Sequence, residues 1–369
     1  MKEYPPEKLI ESIPKGGMKQ WRRPAALSAI LLIVVIVLFS FHKDVVDEPH
    51  VFSRKFAIRT PFAKSAKYLS SDLAAPNRLG NHLFEFASLY GIANRLGRTP
   101  VFWIEDDVYA GMLSYTRQIV PGLVDRFTVI EGKAPVNQTT FHEKCCTFDD
   151  PKRLEDVTDE YLHLSGHFYQ SWKYFPDIRD EMLSYLRAPK LFSVLPKSDE
   201  NTFVTCVHAR RGDFAGVGFY AADEKFIAKA LEFLENRQKH KTHLRLLTVL
   251  FGDDPDYLKG IFKDTVTSDS WERDVKPTTK HFVSRNSPPE DLLYSSQHCD
   301  SVLISAPVST FGWWIGYLSK GNDVFYLDVR TVNDGLYKSG KFKIDDFYLP
   351  KWTSLKMSND NSSVVESEN

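Results

Sequence analysis

Residues 202–214 read TFVTCVHARRGDF, a short run with Val204, Thr205 and Val207 that ends in His208, Arg210, Arg211, Gly212 and Asp213. An apolar, β-branched run broken abruptly by charge and glycine reads as a buried strand and the loop after it. In open α/β sheets ligands bind beyond the carboxyl ends of strands, and paired guanidinium groups there suit a negatively charged ligand. Ser309, Thr310 and Phe311 hold a similar position, between an apolar run at 301–305 and a helical stretch carrying Trp313 and Trp314. Hydroxyls at a helix start cap it, and the same first-turn N–H groups can hold a phosphate. Asp253 and Asp254 follow a further β-rich run at 244–251. Asp254-Pro255-Asp256 also has the D-x-D form that can hold a divalent cation, although three aspartates in one loop arise readily without one, and no metal site is assigned.

These residues need a scaffold that delivers them to one place. From residue 202 onward the pattern alternates: strand 203–208, helix 223–240, strand 244–251, helix 289–298, strand 301–305, helix 311–319, strand 323–327. Strands alternating with helices predict a parallel, doubly wound sheet whose polar strand ends share one crevice. Upstream, Asn77-Arg78-Leu79-Gly80-Asn81 is a turn-type cluster, and Leu83, Phe86, Ala87, Tyr90 and Ala93 then recur at helical spacing on one face. Gly97 reads as a cap and 99–104 as a strand, so the cluster lies at a helix N-terminus, where free N–H groups point outward. A plain turn before a core helix explains the same residues. Residues 161–170 alternate as a strand does, 172–186 read as helical, and 105–160 are acidic and irregular.

The length, 369 residues, is enough for two domains, and a polar run with Pro196 predicts a boundary near 190–200. Lysine and arginine total 47 against 48 aspartate and glutamate, a net charge of −1, so no general affinity for nucleic acid is implied. Aromatic residues make up 13%, compatible with sugar binding and equally with a large core. The sequence lacks G-x-G-x-x-G after a strand, G-x-x-x-x-G-K-[ST] and H-E-x-x-H, which lowers the weight of dinucleotide enzymes, P-loop kinases and zinc proteases. Four cysteines (145, 146, 206 and 299) lack metal-site spacing, and their pairing is not legible.

Residues 25–41 run without a charge, preceded by Arg22 and Arg23 and followed by acidic residues. The run predicts an uncleaved signal anchor, with a cytosolic tail at 1–24 and everything beyond on the lumenal side, a single-pass type II arrangement. Residues 42–72 then read as a stem and 351–369 as a polar tail. Asn137 and Asn361 open N-x-[ST] sequons on that lumenal side and are expected to carry N-glycans.

Three blocks give the chain a family resemblance. NRLGNHLFEFASLYGIANRLGR is similar to the G-R-L-G-N-Q block, VHARRGDF to the H-x-R-R-x-D motif, and STFGWW to the S-[ST]-F-x-W-W segment of the α-1,2-fucosyltransferases of glycosyltransferase family 11. The likeness covers about residues 73–350 and resembles the animal, Golgi-membrane form. It implies a GT-B architecture, two Rossmann-like domains facing a cleft, with an acceptor-side domain at 73–195 and a GDP-fucose-binding domain at 196–350. It implies transfer of fucose from GDP-fucose to a terminal galactose of a glycoprotein or glycolipid glycan, with inversion and without a metal.

On that resemblance Arg210 stabilises the leaving diphosphate, helped by Ser309, Thr310 and the N–H of Phe311. Arg211 binds the donor or pairs with Asp213, Asp253 or Asp254 orients the guanosine end, and Asn81 reaches across the cleft. His208, Asp213, His82 and Glu85 all qualify by type as the general base, and none is assigned. His82 and Glu85 are the acceptor-side candidates. Asn77 stands where the family has Gly, and His82 where it has Gln. Two other readings share the fold: a membrane-anchored glycan-binding protein without catalysis, and a protein O-fucosyltransferase.

Overall fold

The computed structural model describes residues 66–134, 137–142, 144–188, 195–241, 243–267, 276 and 278–368, all within the unit Ala57–Asn369. The expected anchor at 25–41 lies outside the described residues. Among these no helix is long and apolar enough to cross a membrane.

Two sheets organise the chain. The first comprises β1 (Tyr68–Ser71), β2 (Thr99–Ile104), β3 (Thr128–Glu131), β4 (Gln138–Thr139) and β5 (Tyr161–Leu164), in the order β3-β2-β1-β5-β4 and parallel throughout. The second comprises β6 (Thr202–Ala209), β7 (Arg245–Gly252), β8 (Val266–Thr267), β9 (His281–Val283), β10 (Ser301–Ile304), β11 (Asp323–Leu327), β12 (Thr353–Met357) and β13 (Val364–Glu366). Its order is β13-β12-β11-β10-β6-β7-β9-β8, parallel except for the antiparallel pair β12–β13. The helices of seven or more residues are α1 (Leu79–Arg95), α2 (Asp107–Ile119), α3 (Arg179–Tyr185), α4 (Glu224–Lys239), α5 (Pro255–Ile261), α6 (Pro288–His298) and α7 (Thr310–Tyr317).

The periodicity beyond residue 202 describes the second sheet well, because each central strand is buried on both faces and the crossovers from β6 to β7, from β9 to β10 and from β10 to β11 are helical. β6 shows this most fully: Val204 to Ala209 are all buried. Cys206 in β6 and Cys299, just before β10, form a disulfide inside this core.

Three expectations are corrected. The stretch taken as a stem ends in β1, the central strand of the first sheet, whose four residues are all buried. The stretch taken as a polar tail forms β12 and β13, and Leu355 and Val364 anchor that edge in the core. Within the irregular segment, where loops and short helices are expected, lies α2, 13 residues long and capped by the Asp106 carboxylate, which accepts from the N–H groups of Val108 and Tyr109. The run at 161–170 is a strand only to Leu164, since Phe168 and Tyr169 take positive φ values of 71° and 44°, which no strand accommodates.

α1 is buried on two faces, which a one-face reading of its pattern does not reveal. Phe86 packs on Phe102 and Phe127 of the first layer, with ring centroids 5.4 and 5.0 Å apart. Phe84, on another face, packs on Trp313 and Trp314 of α7, at 4.6 and 5.2 Å. Aromatic contacts of this kind contribute about 0.5–1.5 kcal/mol each beyond burial. α1 is thereby the element shared between the two sheets.

Candidate active site

A cleft of about 1250 Å³ is lined from both sheets, by the start of α1, the loops at 142–145 and 165–170, and the exits of β6, β7, β9 and β10. The starts of α1 and α7 approach each other closely at this cleft. Trp314 Nε1–H donates to the Gly80 carbonyl at 3.0 Å. A Cβ on Gly80 would stand 2.6 Å from both Phe311 N and Thr310 Oγ1, so only glycine lets the two helix starts approach this closely. Ser309 caps α7 by accepting from Gly312 N–H at 3.3 Å, while Thr310 and Phe311 occupy the first turn and line the cleft. First-turn N–H groups lack intrahelical acceptors and carry the positive end of the helix dipole. Arg78, at the start of α1, gives that helix no side-chain cap.

Arg210 enters the cleft from the end of β6. Asp213 Oδ1 accepts from its Nε at 3.0 Å and its Nη2 at 2.8 Å, and Asp253 Oδ2 lies 3.1 Å from Nε. Nη1 has no partner among the described residues. The guanidinium is therefore oriented by two carboxylates, with one edge left for a ligand. Gly212 makes room for this clamp: a Cβ there would fall 2.5 Å from Asp253 Oδ2.

The two neighbouring assignments change. Arg211 does not line the cleft and does not pair with Asp213; its Nη1–H donates to the Ala222 carbonyl at 2.7 Å, and its guanidinium lies 4.0 Å over the Tyr257 ring. Asp254 caps α5 by accepting from Tyr257 N–H at 3.0 Å, and Asp256 pairs with Arg285 at 3.0 Å. Asp253 does line the cleft; one of its oxygens accepts from Arg211 N–H at 3.0 Å and the other faces Arg210, so its carboxylate braces that guanidinium. Local hydrogen bonds, invisible in a residue string, decide all three.

The base candidates also separate. His208 is 2% exposed and sits under the start of α7, its ring 5.8 Å from that of Phe311. Burial, then the Arg210 charge, pushes it down to about 3, so it takes no proton near neutral pH. His82 is buried, with Nε2 3.2 Å from the Ala75 carbonyl, and burial lowers its pKa as well. Glu85 does not reach the cleft: fully buried on α1, it accepts from the N–H groups of Ala74 and Phe168 at 2.8 Å each, tying together the loops on either side of the first sheet's exit. Burial pushes its carboxyl up to about 7. Asp213 alone among the four is an exposed carboxylate in the cleft.

Asn81 also lines the cleft. Its Oδ1 accepts from Gln170 Nε2–H at 3.0 Å, and its Nδ2–H donates to Asn77 Oδ1 at 3.3 Å. With the carbonyl occupied, Asn81 presents a donor to the cleft. Gln170 in turn donates its backbone N–H to the Cys145 carbonyl at 3.0 Å, and Cys145 is disulfide-bonded to Cys146. Neither Gln170 nor this adjacent-cysteine bridge carries a motif, and only the left-handed turn at Phe168 and Tyr169 brings Gln170 to Asn81. Arg78 is a further addition, paired with Asp213. Asn137 and Asn361 are both exposed, the first just before β4 and the second in the turn between β12 and β13.

Comparison with known proteins bears on this cleft. The family model described as glycosyl transferase family 11 matches residues 35–356. A Caenorhabditis elegans protein named putative galactoside 2-alpha-L-fucosyltransferase svh-11 is 47% identical over 82% of this chain and 83% of its own. A second from the same organism, named galactoside 2-alpha-L-fucosyltransferase, is 35% identical over 75% of this chain and 74% of its own. Galactoside alpha-(1,2)-fucosyltransferase 2 of Hylobates lar is 26% identical over 76% of this chain and 78% of its own. Among solved structures, fucosyltransferase NodZ from Bradyrhizobium covers 74% of this chain and 97% of its own at 13% identity and a TM-score of 0.39, too loose for a strand-by-strand equivalence.

Proposed function

The chain belongs to glycosyl transferase family 11, and on that premise we propose that it transfers fucose from GDP-fucose to the 2-hydroxyl of a terminal galactose, inverting the anomeric carbon. The observation that carries this reading is the convergence of Arg210, the first turn of α7 and the Asn81 amide on one cleft. Departure of GDP builds negative charge on the β-phosphate as the sugar gains oxocarbenium character. Donors held in place before that charge appears stabilise it most, because no reorganisation is needed during the reaction. Arg210, clamped by Asp213 and Asp253, and the N–H groups at Thr310 and Phe311 meet that description. Asn81 would donate to a sugar or phosphate oxygen. Asp213 is the cleft carboxylate positioned by type and exposure to receive the acceptor proton.

Our reading extends to the finer expectations. The two sheets act as the halves of a GT-B enzyme, the first taking the acceptor and the second the donor. The reaction runs without a metal, since Arg210 and a helix start supply the positive potential. Residues 25–41 anchor the protein in the Golgi membrane with the catalytic part lumenal.

The test uses the full-length protein in detergent with GDP-fucose, a panel of terminal galactosides and a set of folded protein domains, each with and without EDTA. The expected product is a 2-linked fucose on galactose, identified by NMR, at a rate unchanged by EDTA. GDP binding without transfer to any acceptor would instead mark a glycan-binding protein of the same fold. Transfer confined to the protein domains would mark a protein O-fucosyltransferase.

A further inference from the structure

Phe168 is a bulky side chain on a backbone that such residues avoid. Its φ of 71° lies in the left-handed region, and Tyr169 follows it there at 44°. A conformation of this kind is costly in a non-glycine residue and persists only where surrounding contacts impose it. Here hydrogen bonds impose it: the Phe168 N–H donates to Glu85 Oε1 at 2.8 Å, the Ser88 hydroxyl to the Tyr169 carbonyl at 2.8 Å, and the Ser71 hydroxyl to the Gly166 carbonyl at 2.6 Å. Gly166 lets the turn close, since a Cβ there would collide with the Phe141 carbonyl oxygen.

Packing of the core does not account for an aromatic residue at 168. Tyr169 beside it and Tyr174 beyond are buried, their rings against those of Phe141 and His142. Phe168 is half-buried and lines the cleft, as does the exposed His167, whose ring stands edge-on to it with centroids 4.7 Å apart. Of two neighbouring rings, the turn buries one and leaves the other at the cleft.

The place of that ring indicates what it meets. It follows β5 of the first sheet, whereas Arg210, Thr310 and Phe311 come from the second. Two residues further on, Gln170 holds the Asn81 amide. An aromatic face offers a sugar apolar contact without demanding a hydrogen bond, so it suits the least polar face of a pyranose. Galactose has such a face. Its axial 4-hydroxyl points away from the side on which the C–H groups of carbons 3, 4 and 5 gather, with carbon 6 beside them, whereas the equatorial 4-hydroxyl of glucose breaks that patch. Carbon 2 lies outside the patch, so a galactose stacked in this way keeps its 2-hydroxyl free for transfer.

We infer that Phe168 is the acceptor platform of this cleft, its ring stacking on the C3–C6 face of the terminal galactose and favouring galactose over glucose. This rests on the reading of the cleft as the site of fucose transfer to galactose. Holding the ring in place before the sugar arrives lowers the ordering cost of binding, which gives the strained turn its purpose.

The experiment measures steady-state kinetics of the full-length protein in detergent, with methyl β-galactoside as acceptor and methyl β-glucoside as competitor, for the wild type, Phe168→Leu and Phe168→Tyr, with a thermal melt of each. Leucine keeps an apolar side chain without the flat face, and tyrosine keeps the face. Phe168→Leu is expected to raise KM for the galactoside by about tenfold, the size of a lost aromatic contact, and to narrow the preference over the glucoside, with KM for GDP-fucose unchanged. Phe168→Tyr is expected to stay near the wild type in all of these. A folded Phe168→Leu with the wild-type galactoside KM overturns the assignment. A variant that melts lower and weakens both substrates together marks a residue that serves only the fold, and overturns it too. If the variants do not fold, saturation-transfer NMR on the wild type decides: galactoside protons H4 and H5 are expected to receive the most saturation, and a maximum at H1 overturns the platform. A wild type that transfers fucose to no galactoside removes the functional reading and the role of Phe168 with it, whereas transfer to galactose with an unchanged KM in Phe168→Leu removes the role alone.

Discussion

Arg78 and Asp213 meet across the cleft: Nη2 of the first lies 3.6 Å from Oδ2 of the second, linking the start of α1 to the loop after β6. Asp213 uses its other oxygen to hold Arg210, so one carboxylate joins two arginines from opposite walls. The Arg78 and Asp213 side chains are 68% and 48% exposed, and an exposed pair contributes about 0–1 kcal/mol. Its importance lies in geometry, because it fixes the direction of the Arg210 guanidinium. A diphosphate arriving at Arg210 meets the Nη1 edge that the two carboxylates leave open.

Arg210→Lys keeps the charge and loses the fork that meets Asp213, Asp253 and a phosphate together. Turnover is expected to fall by about 10²–10³, the usual effect of removing one preorganised donor to a developing oxyanion. GDP affinity is expected to stay within about tenfold, since the helix start and the base contacts persist. Steady-state kinetics beside calorimetry of GDP separates the two, and near-normal turnover would remove Arg210 from the role assigned to it.

Gly80→Ala puts a methyl group 2.6 Å from the Phe311 nitrogen, where backbone cannot yield as a flexible side chain could. Overpacking of this kind costs about 1–3 kcal/mol. A lower melting temperature is expected, together with weaker GDP binding, because α1 must move away from the phosphate-facing turn of α7. Unchanged GDP affinity in this variant would show that the approach of the two helices does not shape the donor site.

Glu85 links stability to pH. Its carboxyl is raised from 4.5 to about 7 in the fold, so between those values the folded chain holds a proton that the unfolded chain has lost. This contribution is full below about 4.5 and is lost as pH rises through about 7, a change of about 3 kcal/mol. Glu85→Gln keeps an oxygen for the N–H groups of Ala74 and Phe168 and does not titrate. Urea melts from pH 5 to 8 should therefore show a flatter dependence in the variant than in the wild type. Identical slopes would assign the dependence to other groups.

Gln170→Glu replaces the donor facing Asn81 with a carboxylate oxygen. Asn81 must then turn its amide, presenting its carbonyl where a donor is needed. We expect turnover to fall by about tenfold or more with little change in melting temperature, the size of a lost hydrogen bond to a charged partner. In an Asn81→Ala background the same change should cost nothing further, since directly coupled residues are non-additive. Equal losses in both backgrounds would mean that Gln170 acts elsewhere.

Much of the second sheet was legible because each of its elements carries a local signal. The β-branched run of β6 and the helical spacing of α4 are properties of neighbours in the chain. The first sheet was less legible. β1 and β5 are only four residues each, β4 only two, and the residues between β3 and β5 are held by long-range contacts. One such contact is the parallel bridge between Cys146 and Phe342, another the hydrogen bond from Phe148 N–H to Asp346 Oδ2 at 2.9 Å. Periodicity reports which face of an element is apolar, not what comes to cover it. Phe84 and Gly80 on α1 therefore looked unremarkable until Trp313, Trp314 and Phe311 were seen against them.

By itself the sequence determined the class of fold, the row of polar strand exits and the residues from which a diphosphate site could be built, because strand length, helix period and motif spacing are written in adjacent positions. Only the tertiary structure decided which of those residues face the cleft. Arg210 and Arg211 are neighbours of the same type, yet one reaches the ligand side while the other stacks on Tyr257. Asp253, Asp254 and Asp291 are all aspartates after strands, and their roles divide by what else needs their oxygens: two arginines, a helix start, or nothing beyond Ser284. That choice depends on where each carboxylate finds donors in three dimensions, which no spacing along the chain encodes.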